Sequence, residues 1–318
     1  MVATEEDDSL QYHNSSAMGG PSYFSWILSP TVAIVFAISI VGSISIFFLV
    51  CISKTFRRTS NYLVANLCIA SVYHITISLF YNLQSGGVIS LDPKYGETAC
   101  QILSFVHRLS TPVLPLTIAA ISLDRSVVAR NPQDYPSRKT AIARVAMIWT
   151  FSLILLIPRA SMSMFDEKIK GNFKCRKVLL WNSIFLHTSY AVVTLFVIYI
   201  IPTYILVKEF FAMRCQMRFL MMSQVEQRKR FHRRVRVMKN ACIFTCIFIT
   251  CWLPQGLLQF PFDLPNFDEY FFSHEFMQGI VPIRDFFRQL SVFNTCLTPI
   301  ILLVLSFDIR EFLSSCYV

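Results

Sequence analysis

Residues Ile27–Ile52 read ILSPTVAIVFAISIVGSISIFFLVCI, without a single charged side chain. A helix that crosses the roughly 30 Å hydrocarbon layer of a bilayer needs about 20 such residues. Six further runs of the same kind follow: Tyr62–Asn82, Ile102–Leu123, Thr140–Pro158, Trp181–Val207, Val237–Phe260 and Phe286–Leu305. The third carries His107 and Arg108, the seventh carries Arg288, and His74 and His187 lie within the second and fifth. Other ionisable residues keep to the edges. Runs of this length suit helices rather than membrane strands, which are shorter and alternate. The expected fold is an all-α membrane protein, a seven-transmembrane helix bundle over residues 27–306.

Composition points the same way. Of 318 residues, 54% are apolar and only 15% are charged, against about 25% charged in soluble domains. An aqueous core could not bury so much apolar surface, and disorder needs low hydropathy. The net charge of +10 does not indicate nucleic acid in so apolar a chain. It places basic residues beside the spans.

The charges also orient the bundle. No Lys or Arg precedes the first run, while Lys54, Arg57 and Arg58 follow it. Positive charge stays on the cytoplasmic side, which puts residues 1–26 outside and residues 307–318 inside as a short tail. Nineteen of the 29 basic residues then fall on cytoplasmic segments, most densely in Gln227–Lys239. One outer segment, Arg159–Lys177, disagrees with six basic residues. The last outer loop is acidic, with Asp263, Asp268, Glu269 and Glu275. Of ten cysteines only Cys100 and Cys175 fall outside, which points to one disulfide; two free thiols on one side is the other reading. Asn14 heads the one outward glycosylation triplet, Asn14-Ser15-Ser16.

Motifs within the runs carry a resemblance over about Ile27 to Phe312. Asn66-Leu67 with Ala70 lies in the second run; Cys100 opens the third, and Asp124-Arg125-Ser126 closes it. Trp149 and Pro158 mark the fourth, Pro202 the fifth, and Cys251-Trp252-Leu253-Pro254 the sixth. The seventh holds Asn294-Thr295-Cys296-Leu297-Thr298-Pro299. In order and spacing these resemble the rhodopsin-like (class A) G protein-coupled receptors. The resemblance implies a cell-surface receptor in the plasma membrane. An extracellular ligand would shift the bundle between two packings, and a heterotrimeric G protein would dock on Arg125 and the basic third loop. Asp124, Arg125, Trp252, Pro254 and Pro299 would form the activation switch. Pro254 removes a backbone hydrogen bond and kinks the helix beneath a bulky indole. Phe307–Phe312 looks like the family's short amphipathic surface helix, with Cys316 a candidate for palmitoylation.

Departures from the pattern carry expectations too. Ser43 stands where the family has Asn, Ser71 where it has Asp, and Phe210 where it has Tyr. Thr298 and Leu302 replace the Asn and Tyr of its Asn-Pro-x-x-Tyr motif. These positions form the family's sodium site and inner switch. Hydroxyls alone are poor ligands for a hard cation, so sodium should leave agonist affinity unchanged. The same departures keep open a non-signalling decoy.

The cavity that the resemblance implies would be lined by Tyr81, His107, Thr111, Thr194, Trp252, Gln255, Gln259, Arg284 and Arg288. His107 replaces the aspartate of amine receptors, and Val292 the lysine of photoreceptors. Arginines near the mouth suit a carboxylate, and outer loops of both signs suit a charged peptide. A neuropeptide-like ligand is therefore expected, with a lipid or small organic acid as the alternative. The basic inner segment reads as a surface for membrane lipids and the G protein. No cofactor or metal ligand set is legible. A transporter would show paired intramembrane acids or inverted repeats, and an enzyme a nucleophile–base set; neither is visible, so no enzymatic activity is expected.

Overall fold

Backbone polar groups inside a bilayer have no water to bond, so an apolar run of this length must satisfy them within a helix. A computed structural model of the chain describes residues 30–52, 59–85, 96–130, 137–160, 163–167, 173–177, 183–222, 228–264 and 274–305. All seven runs are helical there. They lie in α1 (Pro30–Ile52), α2 (Thr59–Ser85), α3 (Gly96–Arg130), α4 (Arg138–Ala160), α5 (three pieces, below), α6 (Arg228–Asp263) and α7 (His274–Leu305). Five of them (α1 to α5) are long and apolar enough to cross a membrane by the described residues alone. Asn14, the segment 307–312 and Cys316 lie outside the described residues. So do the side chains of Tyr81, Cys100, Arg125, Cys175, Pro299 and Leu302.

The helices outrun the apolar runs at both ends. Arg159, expected in an outer loop, lies in the last turn of α4, and Asp263, also expected in a loop, is the last residue of α6. Arg284 and Asp285 lie well inside α7. A helix already nucleated propagates for one hydrogen bond per residue, so a charged residue at the end of a run does not stop it. The second difference is a β-hairpin that the alternation of the sequence does not advertise. Strand β1 (Ser163–Glu167) pairs antiparallel with β2 (Phe173–Lys177), setting Asp166 opposite Lys174 and Phe165 opposite Cys175. It marks one end of the bundle, hereafter the hairpin end.

Helix α5 is interrupted. Ile184–Leu195 is α-helical and capped by the Ser183 hydroxyl, Phe196–Ile200 forms one π-turn, and Ile201–Met222 resumes the α-helix. The Ile201 N–H donates to the Phe196 carbonyl, five residues back. The extra residue precedes Pro202, which has no N–H to give. π-turns of this kind are frequent at functional positions.

The bundle is inverted relative to a soluble protein. Ile38, Val41, Phe48, Ile157, Phe185 and Phe211 are exposed, while Ser39, Ser43, Ser71, Ser110 and Thr117 are fully buried. Lipid tails are as apolar as leucine, so burying leucine between helices gains little. Close packing of small residues and interhelical hydrogen bonds must hold the bundle instead, each bond contributing about 0.6 kcal/mol in membranes. Helix α3 is the hub, touching α2, α4, α5, α6 and both strands. On it, the Thr117 hydroxyl accepts from Asn66 Nδ2 at 2.9 Å, and Asn66 Oδ1 accepts from Trp149 Nε1 at 2.7 Å. One asparagine thus joins α2, α3 and α4. Tyr73 donates to the Val106 carbonyl at 2.6 Å, and the Ser39 hydroxyl reaches the Cys296 carbonyl of α7 at 2.8 Å.

Candidate functional site

Two groups of arginines converge at the hairpin end, each around one aspartate. Asp263 Oδ1 lies 3.3 Å from Arg159 of α4, 3.3 Å from Gln259 Nε2 one turn earlier on α6, and 4.0 Å from Arg108 of α3. The backbone carbonyl of Asp263 takes a hydrogen bond from α5, with His187 Nε2 at 2.9 Å. Terminal carbonyls of a helix lack partners within it, so His187 finishes α6 while tying it to α5. Beside this group lies a cavity of about 30 Å³ lined by Arg159, Tyr190, Thr194, Tyr199, Gly256 and Gln259. That is room for one or two waters.

The second group is on α7. Asp285, itself buried, accepts from Arg284 Nε and Nη2 at 3.1 and 2.9 Å, with Arg288 at 3.8 Å. Arg284 also lies over the Phe262 ring of α6 at 4.2 Å. His107, half-buried on α3, stands within electrostatic reach of Arg108, Arg159 and Arg288. The two groups together hold four arginines and two aspartates.

Below them lies the aromatic floor. Trp252 is 2% exposed, stacks on Phe248 at 5.6 Å and meets the His74 ring at 5.7 Å. His74 Nδ1 bonds the Ser110 hydroxyl at 2.7 Å. Gln255, one turn before Gln259, has a buried Oε1 without a hydrogen-bond partner among the described residues. Gly256 faces the Tyr199 ring from the π-turn so closely that a Cβ there would fall within 3.0 Å of it.

At the opposite end, Asp124 is 1% exposed and pairs with Arg144 of α4. The Ser122 and Thr245 hydroxyls approach to 3.3 Å and link α3 to α6. Phe210, in place of the expected phenol, is covered by the Arg214 guanidinium at 5.1 Å.

Of the residues expected to line a cavity, Thr194 and Gln259 do so. Gln255 lies one turn before Gln259 on α6, and His107 is within electrostatic reach of Arg159. Arg284 and Arg288 belong to the separate Asp285 group, and Thr111 is half-buried on α3. Arg159, Asp263, His187, Tyr199 and Arg144 were not expected. Arg159 and Asp263 each sit just past the end of an apolar run with opposite sign, the one signal that could have paired them.

Comparison with known proteins decides the family. The family model described as "7 transmembrane receptor (rhodopsin family)" matches residues 42–302, most of the chain. This chain belongs to the rhodopsin family of seven-transmembrane receptors. Endothelin receptor type B of Rattus norvegicus is 23% identical over 92% of this receptor and 68% of its own length. The Homo sapiens endothelin receptor type B is 21% identical over the same shares. The receptor is a multi-pass membrane protein, and its family is not one of enzymes.

Ser43 and Ser71 are both fully buried, and neither hydroxyl has a hydrogen-bond partner among the described residues. A hard cation needs charged oxygens. The thermal midpoint of the purified receptor is therefore expected to be the same in sodium chloride and in N-methylglucamine chloride at equal ionic strength. A rise specific to sodium would contradict the reading.

Proposed function

We propose that this chain is a cell-surface receptor whose hairpin end faces outward. It takes an extracellular peptide that carries an acidic group and activates a heterotrimeric G protein at the opposite end. The observation that carries this reading is the pair of side-chain groups at the hairpin end, which together gather four arginines around two aspartates among half-buried polar groups. Charge at such depth is expensive and kept for a purpose, and guanidinium matches a carboxylate in bidentate fashion. Gln255 adds an acceptor for a ligand donor. The two relatives are named as endothelin receptors, which supports an extracellular ligand.

The Asp124–Arg144 pair and the Ser122–Thr245 contact support the signalling half. They hold α3 against α4 and α6 where a partner would dock beside Arg125. A ligand that fits one packing of the bundle better draws the population toward it. The orientation, the disulfide between Cys100 and Cys175, glycosylation of Asn14 and palmitoylation of Cys316 are parts of the same proposal. So is the division into residues 1–26, 27–306 and 307–318.

A peptide-library screen on cells expressing the chain with a promiscuous G protein and a calcium readout tests this reading. At least one acidic peptide should give a response that Arg125→Ala abolishes. A response that survives Arg125→Ala, or none from any peptide with the chain at the surface, would count against it. Arg288, 3.8 Å from its aspartate and 43% exposed, is the most exposed of these four arginines. Arg288→Ala should weaken the active peptide's potency by tenfold or more, about the 1.4 kcal/mol of one good charged contact; unchanged potency at equal surface expression would remove it from the site.

A further inference from the structure

We infer, beyond the receptor reading above, that His74 is a positioning residue for Trp252: held by Ser110, its ring fixes where the indole rests in this packing of the bundle.

An ionisable side chain in the middle of a span is costly and kept for a purpose. His74 lies in the interior of α2 and is 7% exposed. Its Nδ1 meets the Ser110 hydroxyl of α3 at 2.7 Å, and Ser110 is itself fully buried. Whichever of the two donates, the bond sets the direction of the imidazole plane. Nε2, also buried, has no hydrogen-bond partner among the described residues. A buried nitrogen without a partner costs stability, whereas an apolar ring of similar size would not. Stability alone therefore does not account for a histidine at this position.

What the ring touches supplies the reason. Its centroid is 5.7 Å from that of Trp252, with the planes tilted by 47°, within the roughly 4.5–7 Å at which aromatic rings attract. The indole also stacks on Phe248, at 5.6 Å and 20°. Phe248 belongs to α6 and travels with Trp252, so their contact is kept when that helix shifts. His74 belongs to α2, so its contact is made or lost as α6 moves. Helix α6 packs along α3, α5 and α7, and through His74 it is reached from α2 as well.

Ser110, His74 and Trp252 thus form a chain from α3 through α2 to α6. The hydroxyl acts on the indole by way of the imidazole. Without the hydroxyl, the imidazole is free to turn, and Trp252 loses a surface of fixed orientation. This packing is then favoured less, and α6, which carries Pro254, leaves it more readily.

The test uses the full chain in lipid nanodiscs, without ligand, with 5-fluorotryptophan in place of its four tryptophans. The fluorine resonance of Trp252 is the one that Trp252→Phe removes. Ser110→Ala should move or broaden it. In the His74→Phe background, which keeps a ring and lacks the bond, Ser110→Ala should have no further effect. If Ser110→Ala does not fold, Ser110→Cys, a weaker hydrogen-bonding group of similar size, takes its place. The thermal midpoint of His74→Phe should be no lower than that of wild type, because an unpartnered nitrogen is gone. A Trp252 resonance that ignores the Ser110 change, or that the change moves equally in both backgrounds, would overturn the inference. So would a midpoint several degrees lower in His74→Phe, which would make the histidine structural. Nucleotide exchange by a G protein without peptide should rise severalfold in Ser110→Ala and in His74→Phe. A moved resonance with flat exchange would count against the G protein reading, while the positioning of Trp252 by His74 stands.

Discussion

Gly256→Ala is expected to lower the apparent thermal midpoint of the purified receptor by several degrees and to weaken signalling by any agonist. The reason is one contact. A methyl at Gly256 would land within 3.0 Å of the Tyr199 ring atoms, which form the body of the side chain and not a flexible tip. Tyr199 is itself buried, 8% exposed, and is fixed by the π-turn of α5, so it has little room to retreat. Overpacking of this kind costs about 1–3 kcal/mol. At roughly 2–4 °C per kcal/mol for chains of this size class, that is a measurable loss. Membrane proteins commonly unfold irreversibly, so the comparison belongs at one fixed scan rate. Tyr199→Leu in the Gly256→Ala background should recover most of the loss, because the two side chains share one space and their effects must be non-additive. A silent Gly256→Ala, or simple additivity, would show that α5 and α6 do not approach here as described.

The second large effect is expected at the opposite end. Arg144→Ala leaves the carboxylate of Asp124, 1% exposed, without the partner on α4. Breaking a fully buried pair costs 3–5 kcal/mol; the Arg144 side chain is about a third exposed, so a loss of about 2 kcal/mol is expected. The variant should therefore have a lower midpoint and a raised basal signal, since α3 loses its hold on α4 beside Arg125. Asp124→Asn in the same background should restore stability by removing the charge. If Arg144→Ala matches wild type in both readouts, the Asp124–Arg144 pair holds nothing.

The two effects illustrate what the sequence could and could not carry. Spans were legible because lipid imposes a simple rule on length and charge, and Ile27–Ile52 obeys it without exception. The floor residue Trp252, with Pro254 two residues on, was legible because its motif is local. Pairings were not. Asp124 is the chain neighbour of Arg125, and nothing in the chain announces that Arg144, twenty residues later on another helix, also reaches it. Arg159 was read as part of a basic loop because the apolar run stops at Pro158, although the helix continues and the charge turns inward to Asp263. Gly256 has no local signature at all: its role is set by the extra residue of the π-turn on α5, which aims Tyr199 at it. A single aspartate at the end of α6 proved to join four helices.

The central claim is that α6 is the moving part, held to α3 and α4 at the hairpin end by Asp263 and to α3 at the other end by the Ser122–Thr245 contact. A distance measurement tests it most directly. With Cys51, Cys215 and Cys246, the exposed thiols among the described residues, replaced by serine together with Cys242 and Cys316, spin labels at Val127→Cys on α3 and Ile243→Cys on α6 would occupy two exposed positions. In lipid nanodiscs, an active acidic peptide together with nucleotide-free G protein should lengthen the distance between the labels. Asp263→Ala should shift the peptide-free distribution toward the longer distance. An unchanged distance while the G protein is bound and its nucleotide exchange is stimulated would contradict the account.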